Sequence, residues 1–532
     1  MVRLYSAMLA ALLLTACGAG QDQPASDTAA DSAQPAATVE LDPAKGIDWF
    51  DGSVEEAFAA ALETGKPTYL YWGAAWCPPC HAISATIFKS PEFIERSKLF
   101  IPVYLDGDTE NAQAYGEQFG VRGYPTMIVF DSSGTELTRI PGGIDLQAYA
   151  NILDLTLNNI SPASEIVAAL MAGDAGISAT DCTLLAYYSW GQDTKILTEL
   201  DAGDAFRRMY KACPDEQIRE RSILYLAWLD EALDAAAAEE DPIPLTDEQK
   251  AEALQQVTAV LADAELIRAN IFFVLFSGAD YTSELSEADS DDRRNLEQAF
   301  MAALESIAAD ESVYKRERIY TLVGKIDFER MDDEEAEISA GLKQEIRAMV
   351  AWADETTPSV YERQPIINAL GNVLDEVGMD DDARTLLTAE LDRSRQPYYF
   401  MVSLGDIEQR AGNFDVAIDW FKKAHDATKG PATRFQWGYY YVVSLLEMAP
   451  TDTQRIHDAT VALISELQNS SGFYLRPKAQ LSRLEGHLIT WGEENDQQAG
   501  LSSIRQSVID VCAAASHQDE SRKACDAFLE SV

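Results

Sequence analysis

The chain has 532 residues, 88 acidic against 41 basic, and a formal net charge of −47. That length supplies a large core and at least two domains. So acidic a balance excludes nucleic-acid binding, which requires a basic footprint, and runs such as Asp332-Asp333-Glu334-Glu335 and Asp289 to Asp292 read as solvated faces or loops.

Arg3 followed by the short apolar run Leu4 to Leu14 has the pattern of an export signal, too short to span a bilayer. Leu14-Thr15-Ala16-Cys17 then resembles the bacterial lipobox, which implies cleavage after residue 16 and lipidation of Cys17. Gly18 in place of Asp implies, by the rule of enteric bacteria, release to the outer membrane. Residues 17–44 are rich in Ala, Asp, Gln, Ser and Pro without an apolar period, so a disordered tether of about 30 Å root-mean-square span is expected.

Ser53-Val54-Glu55-Glu56 is a capping box that opens a helix running to about Glu63. Pro67 to Trp72 reads as a buried strand, and Pro79 to about Lys89 as a helix with Ile83 and Ile87 on one face. A short helix from Glu92 to Lys98, a strand from Leu99 to Leu105 and a helix from Glu110 to Phe119 follow. Thr126 to Phe130 and Thr135 to Ile140 flank the turn Asp131-Ser132-Ser133-Gly134. Pro141-Gly142-Gly143 breaks the chain before a helix from Asp145 to about Leu157. This alternation predicts a small α/β sandwich over residues 45–160.

Trp76-Cys77-Pro78-Pro79-Cys80-His81 falls where the first strand hands over to a helix. Two cysteines two residues apart can close and reopen a disulfide, and the helix N-terminus stabilises the reactive thiolate. Cys77-Pro78-Pro79-Cys80-His81 also satisfies the haem-attachment spacing. Haem leaves the preceding strand and the later Gly-Tyr-Pro-Thr loop without a role. Zinc would need a second ligand pair, and His425, His457, His487 and His517 lie far along the chain. No metal or cofactor is therefore expected. Asp106, Asp108, Glu110 and Glu117 match calcium-loop positions, but Asn111 stands where the turn glycine belongs.

At Trp76-Cys77-Pro78-Pro79-Cys80 and Val121-Arg122-Gly123-Tyr124-Pro125-Thr126 the chain resembles the thioredoxin family. Trp49-Phe50-Asp51-Gly52-Ser53 and Gly65-Lys66-Pro67 look like its periplasmic disulfide-reductase branch. The resemblance implies an exposed Cys77 as nucleophile, Cys80 as resolving thiol, and a cis Pro125 that presents the backbone of Tyr124 to an extended substrate. Trp76, Pro78 and Pro79 support the site, and His81 either tunes the thiols or faces solvent. One departure stands out: Tyr71 occupies the strand position of the family's buried aspartate, which removes the proton relay attributed to it.

Residues 161–532 read as helical throughout. Leu370-Gly371 recurs as Leu404-Gly405, Gly378 as Gly412, Ala383 as Ala417 and Leu387 as Phe421, each 34 residues on, which is the tetratricopeptide period. Repeats near 367–430 need degenerate neighbours to form a stack, with candidates at Trp437 to Leu467 and Ala479 to Ala515; a generic bundle is the alternative. The apolar stretch Val257 to Phe276 carries Asp263, Glu265 and Arg268, which predicts a buried helix and not a transmembrane one. Four cysteines remain. Proximity pairs Cys182 with Cys213 and Cys512 with Cys525, and four buried thiols are the alternative.

The expected whole is a thioredoxin fold followed by a large all-α, tetratricopeptide-like domain. It would be a lipid-anchored envelope thiol–disulfide oxidoreductase, more reductase or isomerase than oxidase, acting on protein clients with disulfides. A membrane thiol reductase is the natural electron donor. The alternative is an envelope lipoprotein whose helical repeats assemble partner proteins around a vestigial or regulatory redox domain.

Overall fold

The computed structural model describes residues 46–529 apart from 75, 159, 174–175, 194, 239–241, 467–474 and 515–526. The expected signal segment, Cys17 and the tether lie outside the described residues. Four strands form one sheet in the order β2-β1-β3-β4: β1 Thr68–Gly73, β2 Ile101–Asp106, β3 Thr126–Phe130 and β4 Glu136–Ile140. The central β1 runs parallel to β2 and antiparallel to β3, with Trp72 opposite Thr126.

Local chemistry sets the helices around this sheet. Ser53 and Glu56 form the reciprocal capping box of helix Val54–Thr64, and Asp145 caps helix Leu146–Thr156 through the amide of Ala148 at 2.8 Å. Strand side chains alternate between faces. Leu70 and Trp72 pack with Val54, Val103 and Ile128, while Tyr69 and Tyr71 pack with Met127, Val129 and Tyr149. Both faces are covered, so every residue of β1 is buried and a polar alternation is missing from its sequence.

From Ala163 onward the described residues are helical and contain no strand. The helices up to Ile307 share one apolar core with the second face of the sheet. Ser189 donates its amide to the Arg139 carbonyl at 3.0 Å. The fully buried Arg139 side chain of β4 is paired to Glu136 at 2.7 Å and donates to the Phe119 carbonyl at 2.7 Å. A second core gathers residues between Ile319 and Ile407, and a third gathers Tyr398 to Leu529. Gly378 and Gly412 both take left-handed backbone, with φ 65° and 75°, at the turns that join Val360–Glu376 to Asp380–Leu391 and Tyr398–Arg410 to Phe414–Ala427. The helix pairs Pro431–Met448 with Thr453–Glu466, and Leu475–Glu494 with Gln498–Ala514, follow.

Two expectations are corrected. The helix after Cys77 ends at Ala85 instead of near Lys89, and the Thr86 hydroxyl caps it on the Ala82 carbonyl at 2.7 Å. The apolar stretch to Phe276 is not one helix. Asp263 and Asn270 divide it into Asp247–Leu261, Ala264–Ala269 and Ile271–Phe276, and the Asp263 carboxylate caps the second of these. No helix among the described residues is long and apolar enough to cross a membrane.

Cys182 and Cys213 are joined by a disulfide that closes a 31-residue separation inside the first helical core. Replacing both by Ala is expected to cost about 3–4 kcal/mol of stability through the freed unfolded chain. The denaturation midpoint under non-reducing conditions checks this, and an unchanged midpoint contradicts it.

Candidate functional site

Cys77 occupies the N-cap of helix Pro78–Ala85 with extended backbone at φ −84°, ψ 107°. Its amide donates to the Ala74 carbonyl at 3.1 Å, and its carbonyl accepts from the His81 amide at 3.1 Å. Pro78 and Pro79 fill the first two helical positions and have no N–H to give. The Cys80 amide therefore reaches back to the Cys77 sulfur, at 3.1 Å. The two sulfurs form a disulfide with S–S 2.10 Å and Cα–Cα 5.2 Å.

The peptide bond Tyr124–Pro125 is cis and stands beside this pair. The Tyr124 ring lies 5.7 Å from that of Trp76, centroid to centroid. Its hydroxyl accepts from Gln113 Nε2 at 2.9 Å, and a Cβ on Gly107 would run into its ring. The Pro125 carbonyl is held from outside the sandwich: Gln192 Nε2 donates to it at 2.8 Å. Gln192 Oε1 accepts from the Ser189 hydroxyl at 3.3 Å and lies 3.1 Å from that of Thr126. The first stretch of the helical region thus props the cis-proline loop.

Cys77 is only 1% exposed and Cys80 3%, so the expectation of an accessible Cys77 is corrected. Ala74, Trp76, Cys77 and Cys80 belong to the third helical core, the cluster that also holds Tyr398, Tyr399 and Trp437. Helix Val360–Glu376 packs against helix Pro78–Ala85. His81 is buried as well, which removes the solvent-facing reading. Tyr71 fills the aspartate position with aromatic packing, its ring 4.8 Å from Phe88 and 5.6 Å from Tyr104.

The acidic residues of the calcium-like pattern have other work. Asp106 Oδ1 accepts the Asp108 amide at 3.1 Å, and burial raises the Asp106 carboxyl above its usual range. Asp108 Oδ1 accepts the Thr433 amide at 3.1 Å and its hydroxyl at 2.6 Å. Glu110 opens helix Glu110–Phe119 and Glu117 lies in its last turn. Cys182 and Cys213 are bonded apart from the site. Cys512 is buried in the third helical core and is disulfide-bonded, while Cys525 lies outside the described residues.

A cysteine pair at a strand-to-helix junction beside a cis-proline loop is the constellation of a thiol–disulfide oxidoreductase. A family model for the thioredoxin-like domain matches residues 54–156. Thioredoxin H4 of Arabidopsis thaliana is 32% identical over 92 residues, 16% of this chain and 71% of that protein. The chain belongs to the thioredoxin family. Protein disulfide-isomerase erp38 of Neurospora crassa is 31% identical over 93 residues, 17% of this chain and 25% of its own length. Thiol:disulfide interchange protein DsbD of Pseudoalteromonas atlantica is 27% identical over 110 residues, 20% of this chain and 18% of its own. The chain thus spans a quarter or less of these two longer relatives.

Sequence reasoning missed Gln192 and Thr433, and it placed Asp108 only in the calcium-loop pattern. The partners of all three are remote in sequence, and no local motif points to these contacts. Gln192→Ala leaves the Pro125 carbonyl without its donor and is expected to cost about 1–3 kcal/mol. Chemical denaturation of the full chain measures this, and a variant as stable as wild type contradicts the bracing role.

Proposed function

We propose that this chain is a thiol–disulfide oxidoreductase of the cell envelope, held by a lipid on Cys17, that reduces or isomerises disulfides in protein clients. The observation that carries the reading is the Cys77–Cys80 disulfide on the N-terminus of its helix, beside the cis Tyr124–Pro125 bond. Similarity to a thiol:disulfide interchange protein, DsbD of Pseudoalteromonas atlantica, supports it.

The chemistry follows from thiolate attack. The Cys77 thiolate of the reduced chain bonds to one sulfur of a client disulfide. The other client sulfur leaves as a thiolate and takes a proton. Cys80 loses its proton, and its thiolate attacks the Cys77 sulfur. The second client thiolate is released and protonated, and the Cys77–Cys80 disulfide remains. The client has gained two electrons and two protons, and a dithiol donor restores them to the chain by the same exchange in reverse. Pro125 leaves the backbone of Tyr124 to pair with an extended client segment, and Trp76 walls the sulfur pair.

Direction follows from the prolines. Two of the first helical positions offer no N–H to a Cys77 thiolate, so its reduced form is less stabilised and the couple is more reducing. The repeated helix pairs around Gly378 and Gly412 would then be tetratricopeptide-like units that hold or position the client. The burial of Cys77 favours the second reading, in which the helical region assembles partners and the redox pair is vestigial or regulatory.

Insulin reduction driven by dithiothreitol separates the two readings. Wild type is expected to accelerate it, and Cys77→Ser to fall to the uncatalysed rate; two equally inert proteins defeat the oxidoreductase reading. Equilibration with glutathione buffers should give a potential well below the strong-oxidant value of about −120 mV, and a value there reverses the direction.

A further inference from the structure

A client disulfide must bring a sulfur into contact with the Cys77 sulfur, and a residue 1% exposed leaves no room for that approach. The cover is of a particular kind. Helices up to Ile307 are joined to the sheet through a continuous core that includes Tyr69, Tyr149 and Leu153. The helices beyond Tyr398 meet the thioredoxin domain differently. The buried apolar residues they share with it are Ala74, Trp76, Cys77 and Cys80, with Tyr124 half-buried at the edge. Their apolar attachment is centred on the site, with helix Val360–Glu376 against helix Pro78–Ala85 and helix Leu475–Glu494 against helix Glu110–Phe119 beside it, a small area set against the larger core of the sheet.

A polar contact fastens the same edge. Thr433 lies in the first turn of helix Pro431–Met448, and that helix starts at Gly430 without a side-chain cap of its own. Asp108 supplies it from across the boundary, accepting the Thr433 amide at 3.1 Å and its hydroxyl at 2.6 Å. A carboxylate at a helix N-terminus satisfies an orphan N–H and the positive end of the dipole. The approach is close enough that a Cβ on Gly430, already at φ +89°, would meet the Asp108 carboxylate at 2.6 Å. Asp108 follows Gly107, which abuts the Tyr124 ring, so the fastening lies one step from the cis-proline loop.

We propose that the helices from Val360 onward, which pack on helix Pro78–Ala85 and on the sulfur pair, form a lid over the Cys77–Cys80 pair, latched by Asp108 on Thr433, and that exchange with a client proceeds only when this lid lifts. The inference rests on the oxidoreductase reading for its purpose, while the lid stands on geometry alone. Opening frees Cys77 and the aromatic surface of Tyr398, Tyr399 and Trp437 together, so a client with apolar residues flanking its disulfide would meet a matching wall.

The test is the rate at which N-ethylmaleimide modifies Cys77 in the reduced full-length chain, read peptide by peptide by mass spectrometry. Wild type should react slowly, Asp108→Ala about tenfold faster, Asp108→Asn close to wild type because its amide oxygen still accepts, and Thr433→Val in between. Amide hydrogen exchange in helix Ile218–Ala236 should stay as slow as in wild type in every variant, since that helix lies in the core that does not lift. The lid is overturned if wild-type Cys77 reacts as fast as in Asp108→Ala. It is equally overturned if Asp108→Ala speeds amide exchange in helix Ile218–Ala236 in parallel, which marks general loosening. Should Asp108→Ala fold poorly, Thr433→Val against wild type decides alone. Insulin turnover keeps the two proposals apart: fast labelling without turnover ends the oxidoreductase reading and spares the lid, whereas turnover with unlatched wild-type labelling does the reverse.

Discussion

Everything distinctive about this molecule follows from where the Cys77 sulfur sits: at the N-terminus of a helix, bonded to Cys80, and beneath the helices that begin at Tyr398. The first two conditions make a redox couple. The third removes that couple from water and from any partner in the conformation described. A disulfide is apolar enough to be buried at little cost, whereas a thiolate in the same place would lose its hydration. The covered state therefore suits the oxidised pair better than the reduced one, and the chemistry of the site biases the cover.

The two attachments of the helical region divide its labour. Residues 163–307 extend the sheet's own core, and Gln192 reaches from that side to the Pro125 carbonyl, so this part behaves as an enlargement of the thioredoxin sandwich. The later helices carry the aromatic cluster of Tyr398, Tyr399 and Trp437, with ring centroids 5.1–5.6 Å apart. They touch the redox pair without sharing the sheet core. A region that both covers a reactive pair and offers a large helical surface unites the two functional readings, because partner engagement and redox access become one equilibrium.

Much of the sandwich is legible in the sequence because its signals are local. Ser53 and Glu56 announce a helix by mutual capping, and the helices expected from Glu110 and Asp145 start within a residue of those positions. Proximity also joins Cys182 to Cys213. Long-range events leave no such mark. Thr433 meets Asp108 from 325 residues away and Gln192 meets Pro125 from 67, and no periodicity encodes either pairing. The burial of Cys77 is illegible for the same reason, since an active-site motif reads identically whether or not a distant helix covers it. The division of Val257 to Phe276 into separate helices shows the reverse case: apolar density masks two polar breaks, Asp263 and Asn270.

The most direct test of the account is covalent. In Cys80→Ser the resolving thiol is gone, so a client attacked by Cys77 should remain attached. Incubated with oxidised insulin, the reduced full-length variant should gain the mass of an insulin adduct, released by dithiothreitol and mapped by peptide analysis to Cys77. An adduct absent under conditions where Cys77 is labelled by maleimide, or mapped to another cysteine, contradicts Cys77 as the sulfur that exchanges with clients.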